Sequence, residues 1–146
     1  MSLSVESRNC QRQFDVDLPM LEKAVAAVLQ GEKITAATIS LAVVDDVAIR
    51  ALNRQYLDHD YATDVLSFVL EQTEDFLEGE VVVSIDTAAT QAKSYGWSLQ
   101  EELMLYVIHG TLHLAGYDDH SESDRAEMRG LEKRYLETFG ILVPRD

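Results

Sequence analysis

The segment from His109 to His120, HGTLHLAGYDDH, holds three of the four histidines of the chain. It follows the apolar run LMLYVI, which predicts that His109 and His113 lie on a largely buried helix. Residues four apart on a helix lie about 40° from one another, so both imidazoles can reach one point beside it. Gly116 follows where a left-handed residue often ends a helix, and Asp119 and His120 come directly after that turn. The spacing predicts a metal site with an open coordination position.

The third ligand of this predicted site is either Asp119 or His120. Adjacent residues in a turn rarely aim at the same point, so one ligand is expected from the pair. Imidazole is the commoner metal ligand and favours His120. A set of two histidines and one carboxylate would suit zinc, but it would also suit iron or manganese.

Two histidines four apart on a helix invite comparison with zinc peptidases, whose motif is H-E-x-x-H. In those enzymes the glutamate after the first histidine acts as the general base on the metal-bound water. Gly110 occupies that position here, and a glycine can neither take the proton nor orient the water. A peptidase would therefore need another base, for which Asp118 and Glu102 are candidates.

The elements that must position this site alternate between helices and strands, which predicts an α+β fold with a small mixed sheet packed with helices. Ser98 and Glu101 form a capping-box signature at the start of the histidine helix, and Asp86 is the expected cap of the helix before it. Repeats and linkers are absent from the sequence, so residues 1–146 are expected to form a single domain. The predicted strands are 3–14, 37–44, 63–70 and 80–85, the other helices are 18–30, 46–56 and 121–139, and the acidic stretch 71–80 is a loop or hairpin.

Composition narrows the class of protein. Of the 146 residues 47% are apolar, which favours a globular fold over disorder. Cys10 is the only cysteine, and the start MSLSVESRNC has no apolar secretory core, so we expect a cytoplasmic protein without a membrane span. The formal net charge of −14 would repel nucleic acid, so an RNA substrate would require a local basic groove or screening by a metal.

Three segments carry a family resemblance. The run HGTLHLAGYD resembles the signature of the YbeY family of bacterial endoribonucleases. LNRQYLDHDYATDVLSF (52–68) and GEVVVSIDTAATQA (79–92) resemble two further segments of that family, in the same order. The resemblance implies a mixed sheet covered by helices and a metal, usually Zn²⁺, bound by three histidines. It also implies hydrolysis of single-stranded RNA, with roles in maturing the 3′ end of 16S rRNA and in ribosome quality control, and the ribosome or its proteins as partners.

The chain departs from the family pattern at the third ligand. The family's third histidine lies six residues after the second, which is the position of Asp119, and His120 is one residue late. Met128 falls in the family's register without a gap, which favours Asp119. The family's preference for histidine favours His120, to which we give a slight preference.

Two further departures concern residues 52–69. The family has an arginine, thought to contact the substrate phosphate, where Leu57 stands. Arg54, three residues earlier on the same helix face, could replace it, or could be an ordinary solvated charge. Val69 replaces the usual proline, which alters the end of the strand more than the chemistry.

The resulting hypothesis is a phosphodiesterase in which His109, His113 and one residue after the turn hold a metal that lowers the pKa of a bound water towards ~7. Arg54 would screen the phosphodiester, and His59 is a weaker catalytic candidate. Two rival functions remain open. One is a metal-dependent hydrolase of the peptidase type, and the other is a ribosome-assembly factor whose metal is purely structural.

Overall fold

The computed structural model describes residues 2–144, within which five helices pack on one four-stranded mixed sheet. The predicted α+β fold class is confirmed. The elements, in chain order, are β1 (Leu3–Asn9), α1 (Leu18–Gly31), β2 (Ala37–Val44), α2 (Asp46–Leu57), β3 (Val65–Gln72), β4 (Leu77–Ser84), α3 (Ile85–Tyr95), α4 (Leu99–Leu114) and α5 (Glu122–Glu137).

The sheet has the strand order β1-β2-β4-β3. β1, β2 and β4 are parallel, whereas β3 pairs with β4 in the antiparallel direction. β2 and β4 are the central strands and are mostly buried, as expected for strands covered on both faces. The edge strand β3 is exposed over its last four residues, which include the apolar side chains of Val69 and Leu70.

Helices cover the two faces of the sheet unequally. Alternate side chains of β2 point to opposite faces, because the period of a strand is two. Ile39 and Leu41 join the large core beneath α1 and α4, whereas Ala42 and Val44 join a small core with Ile49 of α2. The larger core therefore lies on the α1 and α4 side, and α5 packs against α4 there.

The helix that carries the two histidines is the most deeply buried helix among the described residues. Ser98 and Glu101 form the predicted capping box, in which each side chain accepts from the other residue's backbone N–H. Gly116 follows the helix with a φ of +107°, a backbone conformation that favours glycine. Although α4 is apolar, no helix within residues 2–144 is both long and apolar enough to cross a membrane.

Several element boundaries differ from the predictions. Ser84, and not Asp86, caps α3, because the Ser84 Oγ accepts from the Thr87 N–H while the Asp86 carboxylate accepts from the backbone N–H of Asp46. β1 ends at Asn9, because the Gln11 side chain bonds the backbone of the following loop.

The acidic stretch 71–80 is the β3–β4 hairpin. It adds two residues to β3 and makes β4 begin at Leu77, three residues earlier than predicted. The Thr73 N–H donates to the Phe76 carbonyl at 2.8 Å and closes the turn between the strands. Loop and hairpin were both predicted for this stretch, and strand pairing decides between them.

Candidate metal centre

Three side chains converge where α4 ends. The Nε2 atoms of His109 and His113 lie 3.1 Å apart, and Asp119 Oδ2 lies 3.5 Å from each of them. The two histidines share one face of α4, and the loop after Gly116 returns Asp119 to that face. Among the described residues, these three form the group of donors that could hold a metal ion.

His120 is placed elsewhere. Its side chain is 85% exposed, and its Nε2 lies 3.9 Å from Asp118 Oδ1, whereas the Asp119 side chain is 37% exposed and faces the histidine pair. Adjacent side chains in this non-helical loop point in different directions, so only one of the two can reach the pair. The structure therefore places Asp119 at the third-ligand position, and not His120, to which we gave a slight preference. This agrees with the alignment to the family in which Met128 falls in register without a gap.

Hydrogen bonds at both ends hold the loop that carries Asp119. The Arg125 guanidinium donates to the backbone carbonyls of Asp119 and His120 at 3.4 and 3.1 Å. The Tyr117 hydroxyl donates to the carboxylate of Glu32 at 2.6 Å, and this bond raises the pKa of Tyr117 to about 12. The loop is therefore tied to α5 on one side and to the end of α1 on the other.

The donors fit a divalent metal ion. Zinc–nitrogen and zinc–oxygen bonds of about 2.0–2.2 Å at tetrahedral angles require donor atoms about 3.3–3.6 Å apart. The observed separations of 3.1 and 3.5 Å lie close to this range. Two imidazoles and one carboxylate leave further coordination positions open, as catalytic sites require. The same donor set also accepts iron or manganese.

A carboxylate behind His109 fixes the orientation of its ring. Glu132 Oε2 lies 2.6 Å from His109 Nδ1. Because an ionised carboxylate only accepts, Nδ1 carries the proton and the Nε2 lone pair faces the other two donors. Burial of the ring opposes its charged form, but the hydrogen bond and the charge of Glu132 outweigh burial and raise the pKa of His109.

The role of Glu132 at the site was not predicted from the sequence, although the pattern of α5 contains an indication of it. The buried residues of α5 are Met128, Glu132, Tyr135 and Leu136, which lie on one helical stripe. An acidic residue within such a stripe is rarely buried unless it has a partner. The stripe could have marked Glu132 as functional, but its partner lies 23 residues away in the chain.

Gly110 faces the sheet. A Cβ atom at this position would lie 2.8 Å from Val81 Cγ1 and 3.0 Å from both Ser67 Oγ and Val65 Cγ2. The Ser67 hydroxyl donates to the Gly110 carbonyl at 2.9 Å, which holds α4 close to β3. The missing peptidase glutamate therefore has a packing cause, because a larger side chain has no room there.

Neither alternative peptidase base lies at the site. Glu102 is buried and accepts from the Trp97 indole N–H at 2.7 Å, so its carboxylate serves packing. The Asp118 side chain is 64% exposed and lies beside His120. Neither residue can therefore act as the general base that a peptidase mechanism at this site would require.

Two of the three donors, His109 and Asp119, line a cleft of about 230 Å³ between α4, α5 and the start of β3. Its acidic lining includes Asp64, Asp119 and Glu132. Its basic lining comes from α5 and consists of Arg125, Arg129 and Lys133. The cleft thus places three cations of α5 beside two of the metal donors.

Arg54 and His59 lie outside this cleft. Arg54 is exposed on α2 and borders a separate groove with Arg50, Asp60 and Tyr61. The His59 ring is exposed and stacks on the Tyr61 ring, with 5.5 Å between the ring centres. The structure does not bring either predicted catalytic residue to the metal donors.

We expect Asp119→Ala to lower metal affinity and His120→Ala to leave it unchanged, because only Asp119 faces the histidine pair. Titration of each purified variant with Zn²⁺ against a chromophoric chelator measures the difference. Loss of affinity in His120→Ala, with Asp119→Ala unaffected, would reverse the assignment.

We expect Glu132→Gln to weaken metal binding about tenfold, since partners behind a ligand histidine typically contribute 10–100-fold in affinity. The substitution keeps the shape of the side chain but removes its charge. Glu137→Gln, an exposed position on the same helix, is the matched control. Equal affinities of the two variants would show that Glu132 does not act through His109.

The fold and the site together define an α+β protein whose central buried helix carries a His-His-Asp group able to hold a divalent metal ion. The family model described as endoribonuclease YbeY matches residues 6–140. The chain belongs to the YbeY family.

Individual relatives agree with this assignment. The endoribonuclease YbeY of Carboxydothermus hydrogenoformans is 40% identical over 140 residues, which cover 93% of this chain and 97% of the relative. That of Rhodopirellula baltica is 41% identical over 126 residues, and the match spans 85% of this chain and 65% of the relative. The solution structure of TM1509 from Thermotoga maritima is similar, with a TM-score of 0.64, 26% identity, and coverage of 94% of this chain and 89% of that one.

Proposed function

We propose that this protein is a metal-dependent endoribonuclease that hydrolyses phosphodiester bonds in single-stranded RNA. The observation that carries the proposal is the convergence of His109, His113 and Asp119 on one point, beside an open cleft that His109 and Asp119 line. The relatives from Carboxydothermus hydrogenoformans and Rhodopirellula baltica bear the name endoribonuclease, which supports RNA as the substrate.

The proposed mechanism rests on how the residues of the chain are arranged. His109, His113 and Asp119 would hold the metal, which when bound supplies a water of lowered pKa and screens phosphodiester charge. Glu132 keeps the His109 proton on Nδ1, so the Nε2 lone pair is available for binding. Gly110 lets α4 lie close against the sheet, since a Cβ atom there would meet Val81, Ser67 and Val65.

Arg54 and His59 are proposed as contacts to the RNA at a distance from the metal. Arg54 and Tyr61 both border the second groove. Tyr61 lies three residues before Asp64 in the chain, and Asp64 borders the metal cleft. A strand leaving the cleft past Asp64 would meet this groove next. The guanidinium would contact a phosphate, and the exposed rings of His59 and Tyr61 offer a stacking surface.

Zinc is the metal we propose, because two imidazoles and a carboxylate form one of its common catalytic ligand sets. The biological substrate we propose is 16S rRNA, at its 3′ end, with a role in ribosome quality control in the cytoplasm. Family membership supports this choice, and the ribosome or its proteins would be the partners. These partners would deliver RNA to a protein whose net charge of −14 opposes free encounter.

Metal analysis and RNA cleavage test the proposal together. The purified protein should contain about one divalent metal per chain and cleave single-stranded RNA, lose cleavage in excess chelator, and regain it with Zn²⁺. Casein should remain intact under the same conditions. Cleavage that persists after complete metal removal would contradict the metal-dependent mechanism, and chelator-sensitive casein hydrolysis without RNA cleavage would favour the peptidase alternative.

A further inference from the structure

Three cations on α5 form a row along the metal cleft. Arg125, Arg129 and Lys133 are spaced four residues apart, so they follow one another on one face of the helix. All three border the cleft that also contains His109 and Asp119. We call these three residues the basic row.

The basic row is notable because positive charge is scarce in this chain. Lysine and arginine together number 12, against 26 acidic residues, so one cleft is bordered by a quarter of all the cations. The acidic residues bordering the same cleft are Asp64, Asp119 and Glu132. Asp119 faces the histidine pair and Glu132 bonds His109, so two of these three charges are directed at the metal group. Asp64 is the remaining acidic group that faces the basic row across the cleft.

The members of the row are engaged to different degrees. Arg125 holds the Asp119 loop through two backbone carbonyls. Lys133 is half-buried, whereas Arg129 is exposed and makes no hydrogen bond or ion pair with any residue between 2 and 144. Arg129 is therefore a guanidinium directed at the cleft without a structural task of its own among these residues.

We propose that the basic row binds the phosphate backbone of a single RNA strand and lays it alongside the metal group. This inference rests on the proposed function and specifies the part of the cleft that holds the substrate. Residues four apart rise about 6 Å along a helix, a spacing comparable to that of successive phosphates in an extended strand. Arginine and lysine contacts to phosphates position a strand without reading its bases. The row thus supplies the local basic groove that RNA binding requires in an acidic protein.

Arg129→Gln tests the inference through salt dependence. A phosphate contact to a single strand contributes about 0.7 to the slope of log affinity against log salt concentration. We expect Arg129→Gln to reduce that slope by about 0.7, and Arg129→Gln/Lys133→Gln to reduce it by about 1.4. The loss should be equal for oligo(A), oligo(C) and oligo(U), because phosphates carry no sequence information. Fluorescence anisotropy in excess chelator, with strand integrity checked on a gel, gives the affinities.

Two control variants distinguish the effect of a positive charge at the cleft from the effect of the net charge of the protein. Arg129→Lys should retain the wild-type slope, and Lys93→Gln, which removes an exposed cation of α3 outside the cleft, should change it little. In cleavage assays with metal, Arg129→Gln should raise KM more than it lowers kcat. Equal slopes for wild type, Arg129→Gln and Lys93→Gln would overturn the inference while leaving RNA cleavage by the wild type intact. Failure of the wild type to bind or cleave RNA would instead contradict the proposed function itself.

Discussion

Replacing His113 with alanine is expected to abolish both metal binding and RNA cleavage. The substitution removes one of three donors, and its Nε2 lies 3.1 Å from that of His109. Loss of a residue behind a ligand already costs about 10–100-fold in metal affinity, so loss of the ligand itself should exceed that range. Elemental analysis of the purified variant and a single-stranded RNA cleavage assay measure the two effects.

His120→Ala is the matched control for His113→Ala. It removes an imidazole from the same segment, but from a side chain that is exposed and turned away from the donors. Circular dichroism should show that both variants remain folded, because the His113 side chain is 27% exposed and is not part of the apolar core. Cleavage at the wild-type rate by a metal-free His113→Ala protein would rule out the proposed mechanism.

The helix that carries the site could be predicted because its determinants are local. The capping box at Ser98 and Glu101, the apolar run before His109 and the glycine after the helix all act within a few residues. The spacing of His109 and His113 then follows from the helical period alone. Helical rules thus predict how the two imidazoles lie relative to one another before any tertiary contact is known.

Residues whose positions depend on tertiary contacts could not be predicted in the same way. Glu132 reaches His109 only because α5 packs against α4, and no local pattern specifies that contact. The choice between Asp119 and His120 depends on backbone angles in a short loop, which have no repeating period. The cap of α3 depends equally on a distant group, since Asp86 accepts from the backbone of Asp46 on α2.

The net charge of the chain is a poor guide to its substrate, because charge acts locally in a cleft. A value of −14 argues against nucleic acid when it is averaged over the whole surface. Screening over about 8–10 Å at physiological salt weakens the influence of distant acidic residues on a bound strand. The basic row and the metal group would then dominate the field that an RNA phosphate experiences in the cleft.

Gly110→Ala is expected to destabilise the fold, although alanine is the better helix former. The exchange gains about 1 kcal/mol of helix propensity. Against this gain, the new methyl group would lie 2.8 Å from Val81 Cγ1 and 3.0 Å from two further side-chain atoms, and such overpacking costs about 1–3 kcal/mol. We therefore expect a net loss of up to about 2 kcal/mol in the free energy of unfolding, measured by urea denaturation of the metal-free protein.

Gly130→Ala, on the neighbouring helix α5, is expected to stabilise the fold. Gly130 is exposed on α5, and a Cβ atom there would meet nothing within 4 Å, so the propensity gain of about 1 kcal/mol should appear as added stability. Equal stabilisation by Gly110→Ala and Gly130→Ala would show that α4 can move away from the sheet.

Gly110→Glu is expected to unfold the protein, although it restores the H-E-x-x-H sequence of the peptidases, because position 110 points into the core. The carboxylate would be buried without a cation, at a cost of several kcal/mol, so we expect an unfolded protein rather than a new peptidase. A folded Gly110→Glu protein that hydrolyses casein would show that packing does not exclude the peptidase base.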